Sequence, residues 1–199
     1  MVTMSTPILE KIRGVMFNPS VAFRKVKDED AGETIKYLMI LAVFYAIMSA
    51  LLTAIEIFTH PFLFGLPPIE ASAVEPFLFV SWVIVVLVVT LLMAVFFGLW
   101  LHIWVYLLGG KKGVWQTEKS VFYNLTPTLL LGWIPVIGPL VGGVWSVIIG
   151  VIGVKELHGM PDTRAALAVV LSIVIASVLA VLILGAMLLA VVSSLVVTV

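Results

Sequence analysis

The chain has 199 residues, 62% of them hydrophobic and only 11% charged, with a mean hydropathy of +1.25; a soluble domain carries about a quarter charged residues, so a water-soluble globule is excluded. The formal net charge of zero gives no global field to draw nucleic acid, and the lack of cysteine removes disulfides, thiolate catalysis and Cys-ligated metals together. What remains is an all-α, polytopic integral membrane bundle, because the apolar runs exceed the roughly 20 residues of one crossing and do not alternate as barrel strands do.

Residues 1–34 form the one sizeable polar segment, and it lacks an apolar stretch of signal-peptide length, so the first crossing is expected to target the protein. Ile8, Leu9, Ile12, Val15 and Met16 recur at helical spacing against Glu10, Lys11 and Arg13. Asn18 followed by Pro19 reads as the cap and first residue of a second short helix, which sets Ala22, Phe23 and Val26 against Arg24, Lys25 and Lys27. Both are expected as amphipathic helices lying in the membrane interface.

The membrane domain spans 35–199. Five segments are predicted, at about 35–57, 77–108, 120–133, 140–156 and 165–197, the third and fourth short enough that a re-entrant hairpin is the alternative to two full crossings. The polar turn "GGKKGVWQTEKS" precedes the third, "IPVIGP" breaks the chain before the fourth, and "KELHGMPDTRAA" surfaces before the fifth. In that last stretch Gly159 is expected to end one helix and Asp162 to cap the next. With the N-terminus inside, all 11 Lys and Arg fall on one side, so the positive-inside rule puts the C-terminus outside, in the plasma membrane.

Three sets of residues stand out. Gly138, Gly142, Ser146 and Gly150 repeat every four positions, as do Ala168, Ser172, Ala176 and Ala180, and such small-residue ridges let helices approach closely in lipid. The two helices are expected to pack against each other, with a homodimer face as the alternative use. Tyr45, Ser49, Thr53 and Glu56 share one face of the first span; with Asn124 and Thr126 they are the candidates for a polar path, since polar groups at membrane depth are costly. Asn124, Thr126 and Thr128 around Pro127 also have a structural reading, rebinding the backbone that the proline frees. The third set is the inner face: Arg24, Lys25, Lys27, Lys111, Lys112, Glu156, His158 and Arg164, suited to anionic headgroups or a cytosolic protein.

No catalytic, cofactor or metal constellation emerges. His60, His102 and His158 fall on different segments, no GxxxxGK followed by Ser or Thr is present, and an enzyme is not expected.

"LHIWVYLLGGKKGVWQTEKSVFYNLTP" followed by "IPVIGPLVGGVWSVIIGVIGVKELHGMPDTRAALAVVL" closely resembles the Yip-domain family, membrane proteins of about five helices named for interaction with Ypt/Rab GTPases, and "FNPSVAFRKVKDE" is similar to the opening of its prokaryotic members. The resemblance covers nearly the whole chain and implies the fold. For the eukaryotic branch it implies vesicle trafficking, but those members carry a longer N-terminal region with an Asp-Leu-Tyr-Gly-Pro motif absent here. The short form resembles the bacterial or archaeal type, for which the resemblance implies no activity. The function expected is therefore a membrane scaffold or adaptor, with a small transporter or channel as the alternative.

Overall fold

The computed structural model describes residues 7–59 and 76–197, and these form eight helices. They are α1 (Ile8–Phe17), α2 (Pro19–Val26), α3 (Ala31–Thr59), α4 (Pro76–Leu107), α5 (Val114–Asn124), α6 (Thr126–Leu131), α7 (Ile137–His158) and α8 (Asp162–Val197). Among the described residues, four stretches are long and apolar enough to cross a membrane: Ala31–Ile55, Phe77–Leu107, Ile137–His158 and Asp162–Val191. The predicted third segment is not a single long helix. It is the broken pair α5 and α6, and α5 starts at Val114, six residues before the expected segment and within the stretch read from sequence as a polar turn.

Pro127 accounts for the break. It has no N–H to give the Tyr123 carbonyl, and the Thr126 hydroxyl donates to that carbonyl instead, at 2.6 Å. After α6 the chain reverses through 132–136, where the Ile137 N–H returns to the Pro135 carbonyl at 2.7 Å around Val136, a β-branched residue held at φ 64. α7 then runs back along α5 and α6. Its small residues make this approach close: a β-carbon at Gly138 would lie 2.0 Å from the Leu131 carbonyl oxygen, one at Gly142 3.0 Å from that of Pro127, and one at Gly150 2.7 Å from the Asn124 amide nitrogen. Ser146 completes the ridge by bonding the Thr128 hydroxyl at 2.8 Å.

The two helices with small-residue ridges do meet, but the closest approaches of the α7 ridge are to other helices. The α7 ridge packs on α5 and α6, because the tight reversal lays those helices against it at once. α8 instead meets α4 and α7 through its first half, where Ala165, Ala168, Val169 and Ser172 are buried; Ala176 is half-buried and Ala180 exposed.

The N-terminal helices also depart from expectation. Their apolar faces were expected against lipid, yet Val15, Ala22, Phe23 and Val26 are buried on protein. Phe23 is the anchor: its ring meets Tyr123 edge-on at 6.2 Å and occupies the space over Gly153, where a β-carbon would lie 2.7 Å from Cζ. Asn18 gives α2 no side-chain cap, and the start rests on Pro19 at the first helical position. The predicted stop of α7 is as read, with Gly159 left-handed at φ 69. Asp162 opens α8, and its carboxylate reaches Lys155 Nζ at 2.6 Å.

Candidate functional site: the polar end of the bundle

The α2–α3 linker, the 108–113 turn and the 159–161 turn meet at one end of the bundle, and four consecutive residues of α5 tie them together. Thr117, Glu118, Lys119 and Ser120 are all buried, and because a helix turns 100° per residue, each side chain leaves toward a different neighbour.

Lys119 points at the linker. Its ammonium donates to the carbonyls of Val26 (3.0 Å), Lys27 (3.0 Å) and Glu29 (2.7 Å), satisfying the open end of α2. Glu29 is the hub of the linker: it takes an ion pair from Lys11 and a hydrogen bond from the Tyr123 hydroxyl. Tyr37 stacks on Tyr123 at 4.6 Å and donates to Thr126, whose own proton is committed to the Tyr123 carbonyl.

Thr117 points between two imidazoles. Its hydroxyl lies 2.8 Å from His102 Nδ1 on α4 and 2.9 Å from His158 Nε2 on α7, and the backbone N–H of Lys112 reaches His158 Nδ1 at 3.4 Å. The sequence placed these histidines on separate segments; the fold brings their rings to 6.3 Å. They converge on a threonine rather than a metal position, and among the described residues no metal-ligand group of three or more forms.

Glu118 points at α4. A β-carbon on Gly98 would lie 2.1 Å from Glu118 Oε2, so the carboxyl occupies the notch that the glycine leaves. Both of its oxygens are buried without a hydrogen-bond partner, an arrangement that is costly for a polar group. Sequence reading passed over Glu118 and counted Lys119 only among the surface cations; the signal that could have found both is their position on a helix rather than in a turn.

The inner-face candidates divide. Arg24 is bound to Glu156, its Nη1 3.2 and 3.3 Å from the two carboxylate oxygens, and Lys25 lies 3.8 Å from Glu10. His158 is internal. Lys27 is half-buried beside the linker, while Lys111, Lys112 and Arg164 are exposed.

The polar-path candidates divide as well. Thr126 is buried against α3, whereas Asn124 lines a cavity of about 460 Å³ between α4, α5, α7 and α8, together with Ser146, Ser172 and Ser177. Tyr45 and Thr53 are half-buried on α3, Ser49 has a buried hydroxyl without a partner, and the Glu56 side chain lies outside the described residues. Ala176 and Ala180 line the same cavity as Asn124.

The family model described as Yip1 domain matches residues 13–197. No curated protein and no solved structure matches the chain.

Proposed function

We propose, since the chain belongs to the Yip1 domain family of membrane proteins, that it is a non-enzymatic scaffold of the cell membrane whose polar end faces the cytoplasm and docks a cytosolic protein or anionic headgroups. The observation that carries this reading is the row Thr117 to Ser120. Buried polar groups from one helix fix α2, α4 and α7 to one another, so the end surface is a rigid platform rather than a set of separate loops. All 11 Lys and Arg sit in the elements gathered at that end, which supports the cytoplasmic assignment and leaves the C-terminus outside. α7, at 22 residues, is long and apolar enough to cross, and α5 and α6 run beside it from Gly153 to Gly138, which supports five crossings over a re-entrant hairpin.

One observation favours a small transporter or channel instead: the 460 Å³ cavity carries the Asn124 amide, and the unpartnered Glu118 lies one helical turn from the cavity residue Val121. Ion and small-solute flux into liposomes holding the pure protein separates the two. A tight bilayer, together with photocrosslinked protein partners at position 111 and none at position 182 in cells, is the expected result. Flux that disappears in Asn124→Leu or Glu56→Gln would replace the scaffold by the pathway.

A further inference from the structure

We propose that Lys111, Lys112 and Arg164 form one binding site for the phosphate of an anionic phospholipid. This rests on the cytoplasmic-platform reading above and names which part of the platform holds lipid.

The three cations come from two turns that the fold presses together. A β-carbon at Gly110 would lie 2.9 Å from the Met160 sulfur, 2.4 Å from Val105 Cγ1 and 3.0 Å from the Val105 carbonyl oxygen, so the 108–113 turn sits in close contact with both α4 and the α7–α8 turn. The Lys112 N–H on His158 Nδ1 joins the same two elements, and the Arg164 guanidinium lies beside the turn, its Nη1 3.4 Å from where a β-carbon on Gly109 would be. Lys111 and Lys112 are thereby presented on the same surface as Arg164.

The carboxylates beside this surface are paired with other cations. The two carboxylates nearest in sequence to Arg164 are engaged elsewhere, Asp162 with Lys155 at 2.6 Å and Glu156 with Arg24 at 3.2 Å. Among the described residues, none pairs with Lys111, Lys112 or Arg164, although all three are exposed. By contrast, three cations of α1 and α2 have a carboxylate beside them, Lys11 with Glu29, Arg24 with Glu156 and Lys25 near Glu10.

The surroundings point to a lipid rather than a soluble anion. Immediately before the lysines, Tyr106 and Leu107 of α4 are 62% and 67% exposed, and one turn after Arg164 on α8 Leu167 is 45% exposed. The cations therefore stand where two apolar helices leave the hydrocarbon, with a tyrosine at headgroup level. A phosphate held there keeps its acyl chains against Leu107 and Leu167, and a guanidinium with two ammonium groups supplies charge-assisted donors to its oxygens.

The test is a lipid titration of the detergent-purified full chain, read by native mass spectrometry, with phosphatidylglycerol and phosphatidylcholine as probes. We compare wild type, the triple variant Lys111→Gln/Lys112→Gln/Arg164→Gln and the α2 variant Lys25→Gln/Lys27→Gln, each first shown to keep its melting temperature. Since each basic residue near the surface contributes about 1 kcal/mol, the triple variant is expected to bind phosphatidylglycerol on the order of 100-fold more weakly, with phosphatidylcholine unchanged. A loss in the α2 variant but not in the triple variant would overturn this site and leave the platform reading standing. No loss in either would overturn this site and leave the platform with a cytosolic protein as its partner. Displacement of the lipid by millimolar inorganic phosphate would assign the corner to a soluble anion and overturn the lipid.

Discussion

The ammonium of Lys119 lies 2.7 Å from the carbonyl oxygen of Glu29, with the carbonyls of Val26 and Lys27 each at 3.0 Å. One side chain from α5 thus closes the end of a helix 90 residues earlier in the chain. Replacing it by methionine keeps the length and removes the donors. Each buried acceptor left without a donor costs about 1–3 kcal/mol, and part of this is recovered if water reaches the linker. Lys119→Met is expected to destabilise the fold by roughly 3 kcal/mol and to open the 27–30 linker to protease. Cleavage there at the wild-type rate would show that α1 and α2 are held by other contacts.

Two glycines of α7, five residues apart, should behave oppositely. A β-carbon at Gly138 meets the Leu131 carbonyl oxygen at 2.0 Å and the Leu131 carbonyl carbon at 2.8 Å, both backbone atoms that cannot rotate away, while at Gly143 nothing lies within 4 Å. Gly138→Ala is expected to cost about 1–3 kcal/mol, the usual penalty of overpacking. Gly143→Ala should be neutral or stabilise the helix by up to about 1 kcal/mol. Thermal unfolding in detergent compares them directly, and equal melting temperatures would refute the close approach of α6 and α7.

Glu118 and Gly98 should behave as a coupled pair. A β-carbon on Gly98 would lie 2.1 Å from Glu118 Oε2, so the carboxyl and a side chain at position 98 compete for one notch. Gly98→Ala is expected to cost about 1–3 kcal/mol by overpacking, and Glu118→Ala in the same chain should recover part of that loss, because residues in contact are not additive. Thermal unfolding in detergent of the two single variants and the double variant checks this. Strictly additive losses would mean that the carboxyl does not occupy the notch.

The long helices were legible because an apolar run of spanning length has few alternatives in a chain of this composition. The ends of α7 and α2 were legible at Gly159 and Pro19, where backbone geometry depends on residue type alone. Thr126 was legible too: a hydroxyl beside a proline has an evident acceptor. The site was far less so. "TEKS" in a stretch opened by "GGKKG" has the composition of a solvated turn, and nothing in the spacing says that Lys119 runs inward to three carbonyls or that Glu118 enters a notch on α4. Helical periodicity gives the face on which a side chain starts, but its destination is set by neighbours distant in sequence. The same limit explains the small-residue ridges. Their four-residue spacing marked two helices that do meet, yet the closest neighbours of the α7 ridge were chosen by the reversal at 132–136.

The hydroxyl of Thr117 between two imidazoles fixes more than position. A backbone N–H can only donate, so the Lys112 amide makes His158 Nδ1 an acceptor and leaves the ring proton on Nε2. That proton goes to Thr117, whose own proton then goes to His102 Nδ1, so the proton of the second ring is on Nε2 as well. Two histidines on different helices are thereby locked into the same tautomer by one amide of a glycine-flanked turn. Nitrogen-15 shifts of the rings would register any movement of that turn, although neither ring belongs to it.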